Sequence, residues 1–335
     1  MFESHSGQHT PAFPRWLGDI GGTNARFGWQ VQPQAPISHV QVLPCAEHPT
    51  LVDAARSYLQ AQGLTAPACA AFGIATAVHS DQVAMTNHHW AFSIDHTRQA
   101  LGLQRLLLLN DFTALALALP QLRPEQLRQV GAGHAAAGAA VALIGAGTGL
   151  GVSGLLPMGL TGPYLPLSGE GGHVTLSAQS ELEFRVISLL RKRYGHVSAE
   201  RVVCGAGLVE LYHALCELHG DQGLEITTPA DVMARAEALP GSTAHEAVEL
   251  FCGFLGSVAG DLALTLGARG GVYIGGGIVP RMGERFKDTP FRARFEAKGR
   301  FAAYLQAIPT WVIDSPVSPA LEGASQALTL YAPSD

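Results

Sequence analysis

Leu106-Leu-Leu-Leu-Asn-Asp-Phe-Thr-Ala-Leu-Ala-Leu-Ala-Leu-Pro120 sets two polar side chains, Asn110 and Asp111, where an apolar run ends. Four successive leucines read as a strand buried on both faces of a sheet. Thr113–Leu119 reads as an apolar helix that leaves it. Ligands of open α/β sheets bind beyond the carboxyl ends of the strands, so a carboxylate at this point stands at a ligand mouth. Asp before an apolar helix also serves as an N-cap, and both uses of Asp111 are open at this stage.

Upstream, Trp16–Ile20 reads as a strand, Gly21-Gly-Thr-Asn24 as a tight turn and Ala25–Gln30 as the returning strand of a hairpin. Paired glycines let a ligand approach the backbone, and successive N–H groups form an anion-binding nest beside the Thr23 hydroxyl. Asp19 is placed to hold a metal ion through water. The pattern recurs as the strand Val141–Ile144, the turn Gly145-Ala-Gly-Thr-Gly149 and the strand Leu150–Leu155. A third glycine turn without a hydroxyl, Gly275-Gly-Gly277, follows the strand Val272–Ile274. One such turn is a weak phosphate signal, whereas the duplication implies two lobes closing on one polyphosphate. No Gly-Lys-Ser/Thr occurs, and Leu150 stands where the dinucleotide fingerprint after Gly145-x-Gly147 needs a glycine. Both common nucleotide motifs are therefore disfavoured.

Between these turns, Thr50-Leu-Val-Asp53 fits a capping box and Ser93 caps a further helix. Leu122–Gln129 is an exposed boundary between lobes. Ser168-Gly-Glu-Gly-Gly-His173 is a glycine-freed loop with one acid and one imidazole. Helices are predicted over Glu181–Tyr194, through His219, from Thr228, from Thr243 to about Gly267, and from Pro319 with Leu321, Ala324, Leu328 and Tyr331 on one face. Asn110, Asp111, Glu170, His173 and Glu200 form a polar set of the kind that binds many hydroxyls, as in a sugar site. His213, Cys216 and His219 share a helix but turn away from one another, which disfavours a metal site. Arg281–Arg300, with seven basic and three acidic residues, reads as a solvated surface. Asn87 and Trp90 fit either a structural loop or a wall of the substrate pocket.

The totals agree with a glycine-punctuated globular enzyme: 335 residues, 47% hydrophobic, 14% charged and 39 glycines. A net charge of −6 gives no general attraction to nucleic acid or an anionic membrane. Neither Gly131–Gly169, broken by Gly, Thr and Pro, nor Leu250–Gly260, halted at Asp261, reads as a membrane span. Five scattered cysteines without a Cys-x-x-Cys pair read as reduced thiols of a cytoplasmic protein. The first fifteen residues show no signal-peptide pattern and read as a flexible tail.

The motifs resemble those of the bacterial ATP-dependent glucokinases, within the superfamily of hexokinases, heat-shock chaperones and actin. The resemblance runs through Leu17-Gly-Asp-Ile-Gly-Gly-Thr-Asn-Ala-Arg-Phe27, Met85-Thr-Asn-His-His-Trp-Ala-Phe-Ser93, Leu109-Asn-Asp-Phe-Thr113 and Gly145-Ala-Gly-Thr-Gly-Leu-Gly151. It continues through Gly169-Glu-Gly-Gly-His173, His196-Val-Ser-Ala-Glu-Arg-Val202, Gly276-Gly-Ile-Val-Pro280 and Phe295-Glu-Ala-Lys-Gly-Arg-Phe301. Ala75-Thr-Ala-Val78 departs from the family's usual Cys-Pro-Ile segment, and Gly205-Ala-Gly207 from its Gly-Pro-Gly. Neither removes a hydroxyl ligand, but the first bears on substrate breadth.

The resemblance implies an α/β, two-lobed actin-like ATPase (ribonuclease H-like) fold with the active site in the interdomain cleft. Residues 16–123 with 314–335 would form the small domain and 124–313 the large one. It implies Mg²⁺ and ATP, D-glucose phosphorylated at its 6-hydroxyl, and a homodimer. Asp111 would be the general base. Asn110 and Asp111 would bind one edge of the sugar, and Glu170, His173 and Glu200 the other. Asp19, Gly21, Gly22, Thr23, Asn24, Gly147 and Thr148 would handle phosphates and magnesium, with Gly276 and Gly277 against adenosine. The rival readings are a kinase of another hexose or one using polyphosphate, a sugar-responsive regulator, and an actin-like or chaperone ATPase.

Overall fold

The computed structural model describes residues 12–159, 162–221, 225–315 and 318–331. The chain divides into two compact units, Met1–Leu122 with Ser315–Asp335, and Arg123–Asp314.

The first unit is built on a five-stranded sheet of β1 (Arg15–Ile20), β2 (Asn24–Gln30), β3 (Ser38–Pro44), β4 (Cys69–Ile74) and, after the small hairpin β5 (Gln82–Ala84) and β6 (Ala91–Ser93), β7 (Arg105–Asn110). The strand order is β3-β2-β1-β4-β7. β2 and β3 are antiparallel additions, whereas β1, β4 and β7 run parallel. Both faces of β1 are covered, so it lacks polar alternation. Trp16 and Ile20 pack with Phe27, Tyr58 and Phe72 on one face, and Leu17 packs with Leu321, Ala324 and Leu328 on the other. The Trp16 ring stacks on Tyr58 at 5.9 Å and meets Phe72 edge-on at 5.4 Å. Helices α1 (Leu51–Gln62), α2 (Ile94–Ala100) and α3 (Asp111–Ala118) are capped by the side chains of Thr50, Ser93 and Asn110.

The terminal helix Ala320–Leu330 packs on α3. Gly323 makes this approach possible, because a Cβ there would lie 1.6 Å from the Ala114 carbonyl oxygen. Gly323→Ala must push the two helices apart. It is expected to lower the denaturation midpoint, by about 1–3 kcal/mol of stability or more, and an unchanged midpoint would show that the helices separate freely.

The second unit repeats the plan. Its sheet comprises β8 (Leu127–Val130), β9 (Val141–Ala146), β10 (Leu150–Pro157), β11 (Tyr164–Ser168), β12 (Val272–Gly276) and β13 (Thr310–Ile313), in the order β11-β10-β9-β12-β13-β8. As in the first unit, a three-stranded antiparallel meander is extended by two strands parallel to its first strand. Helices α4 (Glu181–Tyr194), α5 (Ala199–Val202), α6 (Gly205–His219), α7 (Pro229–Ala238) and α8 (Thr243–Leu266) complete the unit with shorter ones. Among the described residues α8 is the one helix long and apolar enough to cross a membrane, and most of it is buried in the core. Gly256 and Gly260 bring it against Phe291 and Phe295, whose carbonyl oxygens would lie 2.2 and 2.6 Å from an added Cβ.

Several expectations need correction. Residues 1–11 of the expected tail lie outside the described residues, but Arg15 begins β1, is 2% exposed and donates to the Ser325 carbonyl and hydroxyl. Leu127–Val130 is a strand against β13 rather than exposed linker. The helix expected from Thr243 to about Gly267 runs Thr243–Leu266, with Ser242 as its cap. Tyr331 follows the last helix at 45% exposure, off its buried face. The run Arg281–Arg300 is not uniformly solvated. Arg292 is 9% exposed and donates to the carbonyls of Leu305, Gln306 and Ile308. Arg294 pairs with Glu183, and Lys298 with Asp261. Cationic side chains with fixed acceptors bury their stems without stranding the charge.

Candidate active site

In the first unit the carboxyl ends of three parallel strands lie side by side. Ile20 is in register with Ile74, and Ile74 with Asn110. The turn Gly21–Asn24, the segment after Ile74 and the Asn110–Asp111 pair therefore leave the same edge of one sheet. The turn is held from three directions. Gly21 N–H donates to Asn24 O at 2.9 Å and Cys45 N–H to Thr23 O at 2.8 Å. The Cys45 thiol donates to Gly21 O at 3.4 Å, and burial pushes its pKa up, which keeps the proton on sulfur. A Cβ on Gly22 would lie 2.9 Å from the Asn87 carbonyl oxygen, so Asn87 backs the turn. Thr23 and Asn24 are exposed. Trp90 is 2% exposed and its indole donates to His48 O at 3.0 Å, so its ring is packed into the core.

Asp19 is 19% exposed in its side chain, and its Oδ2 accepts from Arg26 at 2.9 Å. Oδ1 remains for water or a hydrated cation. Magnesium takes one or two carboxylates together with water and phosphate oxygens, so the residues here fit it.

Asn110, not Asp111, is the cap of α3. Its Oδ1 accepts from Phe112 N–H at 3.0 Å and Thr113 N–H at 3.2 Å. The long 3.4 Å bond from its Nδ2 to Thr76 O leaves the amide as a donor. Thr76 belongs to the segment that departs from the family pattern, so that departure touches a candidate ligand. Asp111 is the first helical residue and its Oδ1 accepts from Phe112 N–H at 2.9 Å. A helix N-terminus favours negative charge, and the Asp111 carboxylate stands at that end of α3.

In the second unit the turn after β9 is closed by a Gly147 N–H bond to Gly149 O at 2.8 Å, and Gly205 N–H donates to Gly147 O at 2.9 Å. Thr148 is exposed. Gly276 has φ of 80° and would place a Cβ 2.2 Å from Ala146 O. Gly277 N–H donates to that same carbonyl at 3.1 Å, so Gly276 and Gly277 lie against the glycine hairpin. Glu200 links the hairpin to the acidic loop: Oε2 accepts from Leu150 N–H at 2.8 Å, and Oε1 is 3.9 Å from His173 Nε2. Glu170 is exposed at the head of the single turn Gly171–His173, where His173 N–H donates to Glu170 O at 3.0 Å. Gly172 lets this turn approach within 2.2 Å of Leu150 O at its Cβ position.

The structure thus groups Asp19, Gly21–Asn24, Asn110 and Asp111 at one sheet edge, and Gly147, Thr148, Glu170, His173, Glu200, Gly276 and Gly277 around one hairpin of the other unit. His213 Nε2 donates to Ile226 O at 2.8 Å, and His219 lies against Glu246. The sequence reading missed the backing of the first turn by Cys45 and Asn87, and the Glu200–Leu150 bond. The glycine at 22 signalled only that something comes close.

Two sheets of one topology, each with a glycine turn after its first strand and carboxylates at its edges, define a sugar kinase of the actin-like ATPase fold. Solved structures agree. A glucokinase from an Antarctic psychrotroph matches at TM-score 0.84 and 34% identity, over 95% of this chain and all of that one. A ROK family glucokinase from Streptomyces griseus, in complex with glucose and AMPPNP, shares the fold at TM-score 0.63 and 19% identity, over 94% and 99% of the two chains. The family model described as Glucokinase matches residues 16–331. A glucokinase of Aromatoleum aromaticum is 53% identical over 94% of this chain and 95% of its own. The chain belongs to the glucokinase family and is a glucose-phosphorylating enzyme.

Proposed function

We propose that the chain transfers the γ-phosphoryl group of MgATP to the 6-hydroxyl of D-glucose with Asp111 as general base. The observation that carries the reading is the placement of Asp111 at a helix N-terminus, on the same sheet edge as the Gly21–Asn24 turn. Its carboxylate takes the hydroxyl proton as the oxygen attacks phosphorus, and Asn110 Nδ2 donates to a neighbouring hydroxyl. Glu170 and Glu200 accept from hydroxyls of the same ring, with His173 beside Glu200. Gly21–Asn24, Gly147 and Thr148 supply backbone and hydroxyl donors to the phosphates, and Gly276 and Gly277 give adenosine a face without side chains. Asp19 would hold Mg²⁺ through water, and the ion supplies neutralisation of charge on the phosphate oxygens. Positioning and electrostatics are nearly all that phosphoryl transfer requires.

ATP as donor is supported by the AMPPNP in the Streptomyces griseus complex, since AMPPNP is an ATP analogue. A coupled ADP-release assay over a panel of hexoses and donors tests the reading. Glucose with ATP should give the highest kcat/KM, and preference for another hexose or for polyphosphate would refute it. The reading includes a cytoplasmic homodimer, which sedimentation would register at twice the mass of one 35.2 kDa chain.

Glu200→Gln separates the two jobs of that side chain. The amide oxygen still accepts from Leu150 N–H, so the melting temperature should hold. One charged hydrogen bond to sugar is lost, roughly 1.5–3 kcal/mol, and KM for glucose should rise about ten- to a hundredfold. An unchanged KM would leave Glu200 as a purely structural brace.

A further inference from the structure

Asp19 and Arg26 face one another in register across β1 and β2, just before and just after the glycine turn. Arg26 Nη1 donates to Asp19 Oδ2 at 2.9 Å, and both side chains are part-buried. Among the described residues Arg26 is the one hydrogen-bond donor to this carboxylate.

The surroundings set the pair apart from an ordinary cross-strand ion pair. Asp19 shares a face of the sheet with Leu17, two residues back, and its partner on the other flank, Gly73 of β4, has no side chain. Over that glycine lies the start of α3: Ala114 Cβ and Asp111 Cα stand 3.1 and 3.4 Å from the position of an added Cβ. Asp111 therefore enters over the strand next to Asp19, with no side chain of β4 between them. Two carboxylates brought to one gap repel, and Arg26 offsets that repulsion from the side of Asp19 away from α3. Its bond has a second effect. With Oδ2 engaged, the carboxylate cannot chelate through both oxygens and offers Oδ1 alone, in an orientation set by the strand pair. That arrangement suits hydrated magnesium, which keeps several of its waters.

We propose that Arg26 is a positioning residue of the phosphoryl-transfer site, acting through Asp19, so that the magnesium-dependent part of ATP affinity depends on it and glucose affinity does not. The inference rests on the reading of Asp19 as the carboxylate that holds Mg²⁺ through water. The test is calorimetric titration of the full chain with AMPPNP in saturating glucose, once with Mg²⁺ and once with EDTA, after glucose affinity has been measured on each protein. In Arg26→Met the affinity with Mg²⁺ should fall about three- to tenfold, the scale of one partly exposed charged hydrogen bond, while the affinities for AMPPNP in EDTA and for glucose hold. Arg26→Lys should bind nearly as the native chain does, because a single N–H makes the bond. In an Asp19→Asn background, Arg26→Met should have no further effect. An equal loss in EDTA would mean that Arg26 merely attracts the triphosphate, and tighter binding with Mg²⁺ would mean that it competes with the ion; either result overturns the proposal, as does a loss that persists beside Asp19→Asn. If Asp19→Asn weakens the magnesium-dependent affinity and Arg26→Met leaves it unmoved, the role of Arg26 falls and the reading of Asp19 stands. If Asp19→Asn itself changes nothing, that reading falls and the inference with it.

Discussion

Asp111→Asn is expected to bind glucose normally and to turn over more slowly by on the order of 10² or more, the usual contribution of a positioned general base. The separation of binding from turnover follows from the geometry. Asn110 carries the helix cap, so α3 does not depend on the charge at 111. The amide oxygen of an asparagine at 111 can still accept from Phe112 N–H, as the carboxylate oxygen does at 2.9 Å. What the variant loses is the capacity to take a proton. A hundredfold loss corresponds to about 2.7 kcal/mol of barrier. Single-turnover rates with glucose affinity measured in parallel would show it, and near-native turnover would remove Asp111 from the proton's path.

The second large effect concerns stability. Glu183 on α4 is 1% exposed and is paired with Arg294, whose guanidinium also donates to the Ser257 hydroxyl at 3.0 Å. Arg294→Met would leave the carboxylate buried and unpaired, and breaking such a pair from one side costs about 3–5 kcal/mol. The double variant with Glu183→Leu should recover much of that loss, because removing both partners leaves no stranded charge. Denaturant titration of both proteins checks the pattern. A single variant as stable as the native chain would mean that water reaches Glu183.

The contrast between these sites explains what could be read in advance. The hairpins and the Asn110–Asp111 pair were visible because they are local: a glycine turn between two apolar runs, and a polar pair where a leucine strand ends. The choice of cap was not, since Asn and Asp cap helices about equally well and only the backbone angles at 110 decide between them. The pairing of Arg294 was hidden because its partner lies 111 residues away, and the burial of Arg15 because Ser325 lies 310 away. A charge run read alone looks solvated. Its acceptors are supplied by elements that meet only after folding, and the Glu200 bond to Leu150, 50 residues apart, belongs to the same class.

The crystal structure of the chain with glucose and AMPPNP bound tests the central claim most directly. An Asp111 carboxylate oxygen should lie about 2.6–3.2 Å from the sugar 6-oxygen, with Asn110, Glu170, His173 and Glu200 all on the same ring. A 6-hydroxyl beyond the reach of Asp111, or a ring held without Glu170, His173 and Glu200, would contradict it.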